Sequence, residues 1–195
     1  MIPLALDPKF VKLAVAGNGA LALRRLRALR QAGAEVAVFA DAPEPALADA
    51  AEGSLFRHMP EAAEIAGLHA LWVVDVAADV GAGLAALARR QNVLVNFEDR
   101  PEFCDFHSVA EVRRGDFLLT VSTGGAAPGL AGSVRRRLEN CFGPEWDERV
   151  AQVKAKRAEW RAAGVAMPEA ARRIEAMVAE GCWLSCPTPD AKTSN

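Results

Sequence analysis

The chain has 195 residues, a net charge of −2 and a hydrophobic fraction of 51%. That length holds one full α/β domain and a smaller appendage, with a core needing neither disulfide nor metal. The near-balanced charge excludes the basic excess of a nucleic-acid binder. No apolar stretch reaches the ~18 residues of a membrane span, and the N-terminus lacks the basic-then-apolar layout of a leader. Cys104, Cys141, Cys182 and Cys186 form no CxxC pair, so a soluble, cytoplasmic protein in a reducing compartment is expected.

Residues 12–16 (KLAVA) read as a short strand that stops at Gly17. Over residues 20–32, Leu21, Leu26 and Leu29 recur at near-helical spacing, and Gly33 closes the helix. A strand follows at 35–40, a helix at 44–51 and a weak strand at 54–58. Residues 70–74 (ALWVV) predict a buried strand, 83–91 a helix and 93–97 a fifth strand. Strands nearly continuous in apolar residues, alternating with helices, predict a Rossmann-type α/β domain over residues 1–105, its parallel sheet covered on both faces.

The pattern then changes. Extended runs at 106–112 and 117–121 flank Arg113-Arg114-Gly115-Asp116, which reads as a turn. A Gly-Gly-Ala-Ala-Pro-Gly segment leads into a helix at about 130–140, making 106–141 a small α+β region. Residues 142–186 are expected to be helical, with helices at 145–163 and 168–180 broken at Gly164. Trp146, Val150, Val153 and Trp160 would share one face of the first. The polar, proline-containing residues 187–195 are expected to be disordered.

Directly between the first strand and the first helix stands Gly17-Asn18-Gly19-Ala20-Leu21-Ala22. The first glycine permits a tight turn, the second a close backbone approach to pyrophosphate, and a small third residue close helix–strand packing. Phosphate would rest on the free N–H groups at the helix start. Asp41 lies 22 residues beyond Gly19, just past the second strand. An acid there accepts a ribose 2′-hydroxyl and favours NAD over NADP, although Asp41 reads equally as a turn residue or helix cap.

At the end of the fifth strand comes Asn96-Phe97-Glu98-Asp99-Arg100-Pro101, and later Val121-Ser122-Thr123-Gly124-Gly125-Ala126-Ala127-Pro128. With the glycine turn and Arg24-Arg25, these blocks resemble the siroheme synthase family in order and spacing, across about residues 1–140. The resemblance implies an NAD domain, a dimerisation region at 106–141, a helical C-terminal region and an intertwined homodimer. It further implies NAD-dependent oxidation of precorrin-2 to sirohydrochlorin. In bifunctional members Fe2+ is then inserted, an activity that remains open here. Asp99 matches the family's key aspartate, and Ser122 the serine facing the tetrapyrrole. A polycarboxylate substrate calls for cations, for which Arg135, Arg100 and Arg113 are the first candidates, with Arg114, Arg136 and Arg137 behind them. His107 is a candidate for iron delivery, set against a structural histidine. No His/Cys spacing resembles a closed metal site, and Cys182 and Cys186 read as buried free thiols.

Four places depart from the family's pattern. Its Ala-Thr-Asp-like run after the fourth strand is here Val74-Asp75-Val76-Ala77, with Gly81 where an asparagine is usual. Asp75 borders the cofactor site, either repelling a phosphate or holding the ribose. Val109 and Ala126 stand where Pro, and Lys or Thr, are common. No methyltransferase domain fits in the chain, so methylation is expected of another protein. A catalytically idle NAD- or tetrapyrrole-binding protein on the same scaffold is the alternative. An unrelated small-molecule reductase would leave the Asp99 and Ser122 blocks without a purpose.

Overall fold

Five short apolar strands, β1 (Leu13–Ala16), β2 (Val36–Phe39), β3 (Leu55–Phe56), β4 (Ala70–Val73) and β5 (Leu94–Phe97), pair in parallel in the order β3-β2-β1-β4-β5. The computed structural model describes residues 2–185 and divides the chain into two units, Met1–Ser108 and Val109–Asn195. The sheet belongs to the first. Its strand order reverses beside β1, where Ala16 lies opposite Val73 of β4. The carboxyl ends of β1 and β4 therefore meet at the topological switch point, where doubly wound sheets bind ligands.

Both faces of the sheet are covered, which is why its strands are apolar at nearly every position. On one face Val15, Val38 and Trp72 pack against Leu26 of α1 (Ala20–Gln31) and Leu47 of α2 (Pro45–Ala50). On the other, Leu71, Val73 and Val95 pack against Ile65 of α3 (Ala62–Ile65) and Leu84 of α4 (Ala78–Arg90). The periodicity had not marked α3, a single turn held by a capping box between Glu61 and Glu64. Helix α4 starts five residues earlier than expected, because Gly81 extends the buried face of Leu84, Ala85 and Ala88 by one turn. Gly81 is buried there, and a Cβ on it would fall 2.2 Å from the Phe97 ring. Phe97 thus fills the space that a larger residue at position 81 would need.

Beyond β5 the chain folds back along the sheet edge through a 3-10 turn at Pro101–Phe103. The Asp105 carboxylate accepts from Val95 N–H at 3.0 Å, and Asp105 N–H donates to the Val95 carbonyl at 2.7 Å. Arg89 holds the same carboxylate at 2.9 Å. Asn96, the buried polar residue of this core, donates to the Phe106 carbonyl.

The second unit opens with a hairpin, β6 (Ala110–Arg114) and β7 (Phe117–Val121). Arg113 and Arg114 are strand residues rather than turn residues, and the first strand begins at Ala110 instead of 106. The turn is only Gly115-Asp116, with Gly115 at φ +54°. Longer helices α5 (Pro128–Cys141), α6 (Glu145–Ala162) and α7 (Met167–Glu180) follow. Trp146 is buried and stacks on Phe117 at 4.6 Å, with Phe142 and Trp183 around it. Val150, Val153 and Trp160 continue that face half-buried. Gly164, at φ +72°, ends α6 where the break was expected. Cys182 is a free thiol, but exposed rather than buried, because it sits in the turn after α7 at φ +48°. Cys186 and the expected disordered tail lie outside the described residues.

Leu26 is fully buried between α1 and the sheet. Leu26→Ala is expected to destabilise the first unit by about 2–5 kcal/mol, the usual cost of a core cavity. Urea unfolding followed by tryptophan fluorescence and circular dichroism checks this.

Candidate cofactor site

The turn after β1 is held from both sides. Gly17 N–H donates to the Phe39 carbonyl at 2.9 Å, and Val74 N–H donates to the Ala16 carbonyl at 2.9 Å. A Cβ on Gly17 would lie 2.0 Å from the Val74 carbonyl oxygen, so only glycine fits between β1 and β4. Asn18 ties the turn to the end of β2. Its Nδ2 donates to Asp41 Oδ1 at 2.8 Å, its Oδ1 accepts from Ala42 N–H at 3.0 Å, and its carbonyl accepts from Glu44 N–H at 2.8 Å. Asp41 is exposed and fixed in orientation beside the turn.

Helix α1 has no side-chain cap of its own, because its N-cap residue is Gly19. Asp75, just beyond β4, supplies the missing acceptor. One oxygen, Oδ2, takes hydrogen bonds from Leu21 N–H at 2.7 Å and Ala22 N–H at 3.0 Å. Asp75 adopts φ +52°, a left-handed conformation that aspartate tolerates better than most residues. A Cβ on Gly19 would come within 2.9 Å of that oxygen. The tight turn, the helix terminus and Asp41 thus fit a dinucleotide. The Asp75 carboxylate stands on the amides that its pyrophosphate would use.

Asp99 lies on the same sheet edge, two residues past β5, exposed and at φ +61°. Its turn is held by Arg100 N–H donating to the Phe97 carbonyl and Glu98 N–H donating to the Val73 carbonyl. Glu98 is clamped by Arg24 at 2.6 Å and Arg25 at 3.0 Å, which links the end of β5 to α1. Arg25 and Glu98 are both mostly buried, so their pair is the stronger of the two; exposed Arg24 contributes little. Sequence reasoning had passed over Glu98. Its signal was an acid beside Asp99, in a chain with Arg24-Arg25 on the adjacent helix.

Arg100 is turned toward Glu102 at 2.8 Å and lies over the Phe103 and Phe97 rings. Its hydrogen bond holds the Glu102 carboxyl below the usual range. Cys104 donates its thiol to the Phe97 carbonyl at 3.1 Å and stitches the loop to β5. Burial pushes that thiol's pKa up. His107 is half-buried, and the described residues contain no group of three or more His, Cys, Asp or Glu able to hold a metal ion.

In the second unit, Ser122 is exposed just after β7, its hydroxyl accepting from Gly124 N–H at 3.2 Å. Gly124 and Gly125 both have positive φ and bring the chain round into α5, with Thr123 accepting from Ala127 N–H. Arg135 lies further along α5, paired with Glu139 at 2.8 Å. Arg113 pairs with Glu111 at 3.3 Å, and its Nε and that of Arg114 are buried without a hydrogen bond. Within the first unit the structure gathers Gly17, Asn18, Gly19, Asp41 and Asp75 into one network and sets Asp99 on the same sheet edge. Within the second, Ser122 and Arg135 fall on separate turns of chain.

A broad depression lined by Lys12, Leu13, Gly33, Val36 and His69 opens at the amino ends of the strands. It lies away from the carboxyl ends where ligands of this architecture bind, and we assign it no cofactor role. No helix among the described residues is long and apolar enough to cross a membrane.

Comparison with known proteins agrees with this geometry. Residues 4–110 match a family model described as "Putative NAD(P)-binding". The siroheme synthase of Methylococcus capsulatus is 35% identical over 144 residues, which is 72% of this chain and 30% of that protein. That of Nitrosococcus oceani is 34% identical over 158 residues, 80% of this chain and 34% of its own length. The chain therefore spans about a third of the curated relatives it matches. Among solved structures, "SirC, precorrin-2 dehydrogenase" superposes with a TM-score of 0.73 at 20% identity, covering 95% of this chain and 93% of that one. This likeness establishes the shared fold.

Gly17→Ala is expected to destabilise the first unit by about 1–3 kcal/mol, the usual cost of overpacking, because β1 and β4 must separate to admit the methyl group. Calorimetric unfolding measures it. The raised pKa of the Cys104 thiol keeps it protonated to higher pH than a free thiol. Iodoacetamide at mildly alkaline pH should therefore label exposed Cys182 well before Cys104, as read by peptide mass spectrometry.

Proposed function

The chain belongs to this NAD(P)-binding family, and from that premise we propose that it is an NAD-dependent precorrin-2 dehydrogenase. The observation that carries the reading is the order β1-β4-β5 at one side of the sheet. It sets the glycine turn, Asp75 and Asp99 in succession along a single edge. A cofactor turn and an exposed carboxylate on one edge suit a reaction that removes a hydride and a proton from the same substrate. The similarity to siroheme synthases points to precorrin-2 as that substrate. Its oxidation by NAD+ yields sirohydrochlorin, NADH and a proton.

When bound, NAD+ supplies the hydride acceptor. Asp41, fixed by Asn18, accepts a ribose hydroxyl and favours NAD over NADP. Asp99 receives the proton lost by the substrate. Glu98, locked by Arg25, positions Asp99 without touching the reacting atoms. Arg100, Arg113 and Arg135 are the cations proposed for the substrate carboxylates, with Ser122 as a hydroxyl partner. Each of these arginines already holds a neighbouring glutamate, so substrate must displace or share that partner. We extend the proposal to a homodimer and to insertion of Fe2+ into sirohydrochlorin, in which two pyrrole protons leave and Asp99 assists. A second reading, a cofactor- or tetrapyrrole-binding protein without catalysis, draws on the Asp75 carboxylate seated on the α1 amides.

The test mixes the purified chain with NAD+ and precorrin-2 under anaerobic conditions and follows NADH and sirohydrochlorin by absorbance. NAD+-dependent turnover is expected; its absence, with NAD+ binding intact, favours the second reading. Asp99→Ala should lower the rate by roughly 10²–10⁴-fold, the range for a lost general base, while the Kd for NAD+ stays within about twofold. A large loss of NAD+ affinity in that variant would show that Asp99 belongs to the cofactor site. Adding Fe2+ to sirohydrochlorin with and without the protein tests metal insertion.

A further inference from the structure

We infer that Asp75 is a built-in occupant of the cofactor's phosphate cradle, a tethered anion that must swing away before a dinucleotide binds. The inference rests on the cofactor reading given above and adds a determinant of cofactor affinity. Oδ2 of Asp75 takes two successive amides, Leu21 N–H and Ala22 N–H, at 2.7 and 3.0 Å. Helix-start amides of this kind are the ones that accept phosphate oxygens. The room above the helix exists because residue 19 is glycine, and Asp75 Oδ2 lies 2.9 Å from where a Cβ would be. The side chain has therefore filled the opening that the glycine turn provides.

Two anions cannot share one pair of amides in one opening. A bound pyrophosphate would leave the carboxylate without its donors and facing a like charge. The backbone just before Asp75 is tied to β1. Val74 is held to Ala16 by its N–H, and its carbonyl packs against Gly17. The Asp75 side chain can clear the amides by rotating toward solvent, where its residue is already exposed. In the free protein the carboxylate caps an otherwise uncapped helix. Binding strength is then reduced by the fraction of molecules whose side chain has not swung out.

This arrangement makes a prediction of opposite sign for two measurements. Asp75→Gly removes the carboxylate and relieves the positive φ. Asp75→Asn keeps the shape and tolerates that φ, but holds the amides through a neutral oxygen. Titration calorimetry of the full chain with NAD+ is expected to show tighter binding in Asp75→Gly, on the order of tenfold, with Asp75→Asn between it and wild type. The melting temperature of the cofactor-free protein is expected to fall in Asp75→Asn, by a few degrees, because the cap is weakened. Equal or weaker NAD+ binding in both variants, with wild-type circular dichroism, overturns the inference and leaves the cofactor reading standing. If Asp75→Gly does not fold, Asp75→Asn alone decides by the same criterion. NAD+ binding by none of the three proteins overturns the cofactor reading and this inference together.

Discussion

The approach of β1 to β4 at their carboxyl ends is the constraint from which the rest of the first unit follows. Parallel pairing brings the Val74 carbonyl to where the side chain of residue 17 would begin, and a hydrogen is all that fits. With that contact made, the chain after β1 turns sharply, α1 starts over the sheet edge, and its unpaired amides face the end of β4. Asn18 then reaches the end of β2 and Asp75 the start of α1, so three strand ends are joined by side chains within a few residues. The sheet order does the remaining work by placing β5, and with it Asp99, next in line.

Much of this was legible in the sequence, for identifiable reasons. Strands buried on both faces leave continuous apolar runs, which made the four longer strands visible; β3, two residues long and part-exposed, showed only as a weak strand. The glycine turn was legible because close backbone approach admits few residue types. What escaped were features set by contact between distant segments. Gly81 read as a departure from a family pattern, whereas it is the partner of Phe97 across the helix–strand interface. Glu98 went unremarked because its importance lies in Arg24 and Arg25, more than seventy residues away. The hairpin was misplaced because Arg113 and Arg114 look like turn residues. In the fold they are strand residues with partly buried side chains, and the turn is left to Gly115 and Asp116.

Asp75 illustrates a different limit. Its position beside the cofactor turn could be read from sequence, but the choice between repelling phosphate and holding ribose could not. That choice depends on a left-handed backbone angle and on which amides lie within reach. A carboxylate at a helix start also explains how a glycine N-cap is tolerated there: the acceptor missing from residue 19 comes from residue 75.

The loop beyond β5 has a consequence for how copies of this chain can meet. An edge strand normally offers outward N–H and C=O groups on which a second sheet can grow. Here Val95 is paired through both its N–H and its carbonyl by Asp105, and the Phe97 carbonyl is taken by Cys104 and Arg100. The β5 margin is closed to strand addition by the chain's own next segment. Two copies cannot fuse their sheets across it into one continuous ribbon. Growth of a second sheet on this margin would first require the segment carrying Cys104 and Asp105 to be displaced.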